Sequence, residues 1–135
     1  MSNQEKILVI DDEKGIRETL TEILSLVGYD VITATNGLDG IKFAETQFPD
    51  LIICDIMMPG IDGYEVAKRV RDNSDMVAVP FLFLSAKASN KDFRKGLGAG
   101  ADDYLVKPFG SKELVDTVKM RLNRVKSLTA GNKSL

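Results

Sequence analysis

The sequence predicts a doubly wound α/β domain, a three-layer sandwich in which helices cover both faces of one five-stranded parallel sheet. Three observations lead there. Short apolar runs recur without polar alternation, as in strands covered on both sides. Between them, apolar residues return at helical spacing, so strands and helices alternate along the chain. The length of 135 residues is that of one ordinary domain, and no internal repeat divides it. Right-handed crossovers leave few strand orders, and 2-1-3-4-5 is the one expected for this length.

The first strand is Ile7-Leu8-Val9-Ile10, ending in Asp11-Asp12. Ile16, Leu20, Ile23, Leu24 and Val27 then mark a helix face, with Gly28 as its C-cap. Val31-Ile32-Thr33-Ala34 is the second strand. A second helix starts near Asn36, carries Leu38, Ile41 and Ala44 on its stripe, and stops before Pro49. Leu51-Ile52-Ile53-Cys54 is a fully apolar strand running into Asp55, and Pro59-Gly60 turns the chain away. Val66, Ala67 and Val70 form the third helical stripe. Pro80 introduces Phe81-Leu82-Phe83-Leu84, which ends in Ser85. The fourth helix holds Phe93 and Leu97. Gly96, Gly98 and Gly100 each cost a helix interior about 1 kcal/mol relative to alanine, so it is expected to end early in a glycine-rich loop. Tyr104-Leu105-Val106 leads to Lys107-Pro108, and Leu114, Val118, Leu122 and Val125 share one face of the last helix. The domain is expected to occupy residues 1–126. The polar stretch 127–135 lacks periodicity and is expected to be a flexible tail or the start of a linker.

Composition narrows the chemistry. A formal charge of −2, with no Lys/Arg stripe, gives no electrostatic footprint for nucleic acid. No apolar run reaches membrane-spanning length, and Met1–Lys6 does not resemble a secretion signal. The single cysteine, Cys54, lies in an apolar strand and is expected to be a buried, reduced thiol, which points to the cytoplasm. Histidine is absent, which removes imidazole bases, Ser-His and Cys-His pairs and His-based zinc sites. Carboxylates, lysine, hydroxyls and a hard metal ion remain.

Those groups stand at strand ends. Asp11-Asp12, Asp55, Ser85 and Lys107 follow strands one, three, four and five, and a parallel sheet puts all carboxyl ends on one edge. Taken singly each has an ordinary reading: a helix cap for the acid pair and for Ser85, a surface charge for Lys107. Together they are a constellation. Three close carboxylates repel one another unless protonated or neutralised, and Mg²⁺ with oxygen ligands is the natural remedy. A carboxylate nucleophile, Mg²⁺, a lysine and a hydroxyl are the parts that phosphoryl transfer requires.

The motifs Ile10-Asp11-Asp12-Glu13, Asp55-Ile56-Met57-Met58-Pro59-Gly60, Leu84-Ser85-Ala86-Lys87, Gly100-Ala101-Asp102-Asp103-Tyr104 and Lys107-Pro108-Phe109 occur in this order. With them the chain, from about Lys6 to Arg124, resembles the receiver domain of bacterial two-component response regulators, which has a flavodoxin-like fold. The resemblance implies that Asp55 accepts a phosphoryl group from the phosphohistidine of a sensor histidine kinase or a histidine phosphotransfer protein. It implies Mg²⁺, with Mn²⁺ as a substitute, held by Asp12, Asp55 and the main-chain carbonyl of Met57, and by Asp11 through water. Ser85 and Lys107 would hold phosphoryl oxygens. Ser85 and Tyr104 would form the switch that alters the surface of the fourth helix, fifth strand and fifth helix, read by an output domain or a downstream protein. Ile16 would stand where the kinase docks, and the peptide before Pro108 would be cis. A phosphorylation-dependent dimer also belongs to the family. Receivers joined to winged-helix DNA-binding domains carry charged residues for one such dimer where this chain has Phe93, Gly98 and Thr117.

Met57 and Lys87 flank the site, two residues after Asp55 and Ser85. Neither side chain activates water well, so a long-lived acyl phosphate is expected, with autodephosphorylation slow. Two other readings compete. An aspartate-nucleophile phosphatase would turn over small phosphate esters, but Asp11 and Glu13 match its acid spacing only weakly and no cap domain is present. A degenerate receiver, serving only as a docking module, would lack the intact Asp55, Ser85 and Lys107. A flavodoxin-like cofactor binder needs a hydroxyl-rich loop after strand one, where Asp11-Asp12-Glu13 would repel phosphate instead.

Overall fold

The structure, a computed structural model, describes the backbone of residues 4–86 and 90–134, and side chains within those ranges except 90–93 and 124–134. The elements are β1 (Lys6–Ile10), α1 (Lys14–Leu26), β2 (Asp30–Ala34), α2 (Gly37–Gln47), β3 (Leu51–Asp55), α3 (Gly63–Asp72), β4 (Phe81–Ser85), α4 (Asn90–Gly98), β5 (Asp103–Val106) and α5 (Ser111–Ser134). All four strand pairings are parallel, in the order β2-β1-β3-β4-β5. This is the predicted fold.

Strand alternation sorts the sheet into two cores. Ile7, Val9, Leu51, Ile53, Leu82, Leu84 and Leu105 meet Leu20 and Leu24 of α1 and Leu114, Val118 and Leu122 of α5. Leu8, Ile10, Ile52, Cys54, Phe81, Phe83 and Tyr104 face the other way, toward Ala44 of α2 and Val66, Ala67 and Val70 of α3. Residues 7–10, 51–54 and 81–84 are covered on both faces and apolar at every position, which is why these runs show no period of two.

Local signals act as their chemistry requires. Asn36 caps α2 by accepting from Asp39 N at 2.8 Å, and Asp62 caps α3 by accepting from Glu65 N at 2.9 Å. Gly28, at φ +99°, follows α1 in the left-handed conformation that ends helices. One expectation is corrected. Leu38 is 59% exposed, and α2 instead buries Gly37, Gly40 and Ala44. A Cβ at Gly40 would lie 2.5 Å from Ile10 Cδ1, so this helix packs through the absence of a side chain. The backbone of α5 is helical through Ser134, beyond 126 where the apolar pattern stops. With no proline in 127–134, an established helix propagates through polar residues.

Arg71, near the end of α3, ties distant segments together. Its guanidinium donates to the carbonyls of Val77, Val79 and Gly100 at 3.0, 2.7 and 2.7 Å, and to Asp102 Oδ2 at 2.7 Å. Asp102 Oδ2 also accepts from Phe81 N at 2.8 Å.

Candidate functional site

The site forms where β1, β3 and β5 end. Asp55 shares the strand phase of Leu51 and Ile53, Asp11 that of Ile7 and Val9, and Lys107 that of Leu105. All three therefore crown the α1/α5 side of the sheet. Ser85, in register with Val106, has the phase of Phe81, Phe83 and Tyr104 on the opposite side.

The distances agree with this placement. Ligand oxygens of Asp11, Asp12 and Asp55 lie within 4.8 Å of one another, with Asp12 exposed and the other two buried. Lys107 Nζ stands 3.3 Å from Asp11 Oδ2, 3.6 Å from Asp55 Oδ1 and 3.5 Å from Glu13 Oε1. Asp11 Oδ1 accepts from Glu13 N at 2.9 Å, and the Asp11 carbonyl accepts from Arg17 Nη1 at 2.8 Å. Lys107 N donates to the Ser85 carbonyl at 2.7 Å, continuing the ladder beyond β5.

Electrostatics shows what the cluster lacks. Burial and then the Asp11 charge raise the Asp55 pKa to about 6, with Lys107 opposing. Burial likewise raises Asp11 against the pull of the Glu13 amide and Lys107. Burial alone would lower Lys107, but Asp11 and Asp55 outweigh it and the ammonium is held above its ordinary value. One lysine does not balance three carboxylates. The donor set, all oxygen and partly buried, fits a hard divalent cation. Cys54, fully buried, has its thiol pushed well up by desolvation and then by Asp55, as an inert core thiol should.

The sequence-predicted residues fall as follows. Asp11, Asp12, Asp55 and Lys107 converge, and Ser85 is buried at the neighbouring strand end. The Met57 side chain is 62% exposed. Tyr104 is buried, its ring 6.5 Å from that of Phe83 in an edge-on pair. The peptide between Lys107 and Pro108 is cis. Ile16 is half-buried and lines a groove of about 390 Å³ with Ile23, Pro108 and Phe109. Lys87 and the side chain of Phe93 lie outside the described residues. Sequence reasoning missed Glu13 as a partner of Lys107, and Arg17. It also missed Gly63, where any Cβ would strike the Asp55 carbonyl, and whose amide donates to the Ile56 carbonyl at 2.8 Å.

Known proteins resemble this chain in sequence and in fold. Residues 7–119 match the family model of the response regulator receiver domain. The chain is 44% identical over 129 residues to the probable transcriptional regulator ycf27 of Porphyridium aerugineum, covering 96% of this chain and 52% of that protein. It is 48% identical over 119 residues to the alkaline phosphatase synthesis transcriptional regulatory protein PhoP of Bacillus subtilis, covering 88% and 49%. The chain thus spans about half the length of these curated relatives. A putative response regulator from Chloroflexus aurantiacus superposes with a TM-score of 0.86 at 38% identity, covering 90% of this chain and 99% of that one. The chemotaxis response regulator CheY4 of Vibrio cholerae gives 0.85 at 34%, covering 88% and 99%. A family match over most of the chain, with relatives this similar in sequence and in fold, makes this chain a member of the response regulator receiver family.

Proposed function

We propose that Asp55 is the phosphoacceptor of a two-component relay. The observation that carries this is a buried carboxylate between two further acids and an ammonium at the end of a central strand. A carboxylate oxygen of Asp55 attacks the phosphorus of a phosphohistidine. The O–P bond forms as the P–N bond breaks, and the histidine nitrogen departs with the bonding electrons. Lys107, 3.6 Å from Asp55 Oδ1, is placed to follow charge onto the phosphoryl oxygens, and the Ser85 hydroxyl offers a further donor. Asp12, Asp55 and the Met57 carbonyl would hold Mg²⁺ or Mn²⁺, with Asp11 acting through water. When bound, the ion supplies the positive charge that the three carboxylates call for.

Ser85 shares its sheet face with Tyr104, so a shift of Ser85 toward the phosphoryl group would change what Tyr104 packs against. The surface of α4, β5 and α5 would then be read by an output domain or a downstream protein. Transcriptional control, named for the relatives, extends to this chain as part of the same proposal. The donor, a sensor kinase or a histidine phosphotransfer protein, would dock beside Ile16. Cytoplasmic residence and a receiver unit of residues 1–126 complete the reading, and among the described residues no helix is long and apolar enough to cross a membrane. Charged dimer contacts of the winged-helix type gain no support. Thr117 bonds back to the Glu113 carbonyl at 2.8 Å, and Asp102 and Asp103 pair internally with Arg71 and Arg121.

Incubation with Mg²⁺ and a small acyl phosphate, followed by intact-mass measurement, tests the proposal. One phosphoryl adduct is expected, lost in Asp55→Asn and without Mg²⁺; an unmodified wild-type protein would overturn it. Continuous turnover of a phosphate ester would favour the phosphatase reading instead. The exposed Met57 side chain at the site is apolar and cannot orient water. The double variant Met57→Asn/Lys87→Glu should therefore release phosphate faster than wild type, and an unchanged rate would refute the assignment of water control to these positions.

A further inference from the structure

We infer that Arg17 is a positioning residue for the metal, fixing the peptide that joins Asp11 to Asp12; this rests on the reading that these acids and Asp55 hold Mg²⁺. The segment Asp11–Glu13 leaves the sheet and must present two carboxylates before α1 begins at Lys14. Asp11 N is tied to the Ala34 carbonyl at 3.2 Å, and Asp11 Oδ1 receives Glu13 N at 2.9 Å. The remaining freedom is rotation of the Asp11–Asp12 peptide plane. Arg17 Nη1 donates to that carbonyl at 2.8 Å, from a helix whose own start is closed by Arg17 N on the Glu13 carbonyl at 3.1 Å. Asp12 is the exposed member of the acid cluster and follows this peptide directly. Its carboxylate has the least packing to hold it, so its direction depends on the peptide behind it.

The guanidinium also places a positive charge beside a site that should attract a cation. The two effects have opposite signs, which makes the inference sharp. If Arg17 acted through charge alone, its removal would tighten Mg²⁺ binding. If it acts by orientation, its removal loosens binding, as when groups that orient metal ligands are lost, on the order of 10–100-fold in affinity.

Calorimetric titration of the unphosphorylated chain with Mg²⁺ reads this directly, with far-ultraviolet circular dichroism reporting that each variant is folded. Arg17→Met, of similar reach but without a donor, should raise the Mg²⁺ Kd by about 10-fold or more. Arg17→Lys, which keeps the charge and one donor group, should fall between it and wild type, and carries the test if the methionine variant does not fold. An unchanged or tighter Kd in the variant that folds would overturn the role of Arg17. Absence of Mg²⁺ binding by the wild type, with Asp12→Asn equally silent, would overturn the metal reading itself and the role of Arg17 with it.

Discussion

At the end of β3, Asp55 has lost most of its hydration and faces Asp11, and these two causes hold its pKa at about 6. The folded-state value lies above the ordinary carboxylate value of 3.8. Between these two pH values the native state therefore binds more proton than the unfolded chain, and stability falls as pH rises through the window. Above it the full penalty is present. Without Mg²⁺, Asp55→Asn should raise the unfolding free energy by about 1–3 kcal/mol at pH 7.5, and the gain should vanish near pH 4. Urea unfolding at the two pH values measures this. A gain equal at both would show that the buried charge of Asp55 is not its cause. This scale also separates what the sequence displays from what it hides. Asp11, Asp12, Asp55 and Lys107 were legible because each ends a strand, and parallel strands end together. Arg17 and Gly63 were not, because one works through a main-chain carbonyl and the other through an absent Cβ, and neither leaves a pattern along the chain.

Among the elements, α4 joins conflicting demands. Gly96 lies within it, and a Cβ there would come 2.8 Å from Phe83 Cδ2 in the buried core. Gly98, its last residue, has nothing within 4 Å of the same position. Alanine favours a helix over glycine by about 1 kcal/mol, so propensity alone predicts that both substitutions stabilise. Packing divides them. Gly98→Ala should gain about 0.5–1 kcal/mol, while Gly96→Ala should lose about 1–2 kcal/mol because a core aromatic must move. Chemical denaturation of the two variants checks the contrast, and a gain in both would mean that Phe83 yields easily. The same logic explains α2. The apolar spacing through Leu38 marks the helix but not its buried face, whereas glycines without any hydrophobic signal allow Ile10 to come close. Strands, whose burial is written in their side chains, were legible almost to the residue.

Over the whole molecule, Arg71 links the end of α3 to the segments before β4 and β5 at the edge of the sheet opposite the acids. Arg71→Met would leave three main-chain carbonyls and Asp102 without this donor. The expected loss is about 2–3 kcal/mol by urea unfolding, with faster amide exchange at Ala101 and Asp102. A loss below about 0.5 kcal/mol would mean that water replaces the guanidinium without cost. This feature could not be read from the chain, because its backbone partners lie up to 29 residues away and its carboxylate partner 31.

The alternation of side chains through the sheet has a consequence for traffic around the molecule. Asp11, Asp55 and Lys107 belong to the side roofed by α1 and α5, where the groove beside Ile16 opens. Ser85 takes the phase of the other side, with Phe83 and Tyr104, as the exposed Asp12 does with Leu8 and Ile10. The sheet is thus a partition one residue thick, and Ser85 is its doorway. On the proposed function, a donor resting against α1 would leave the α4 side uncovered, so delivery and readout would not need to take turns on the same ground.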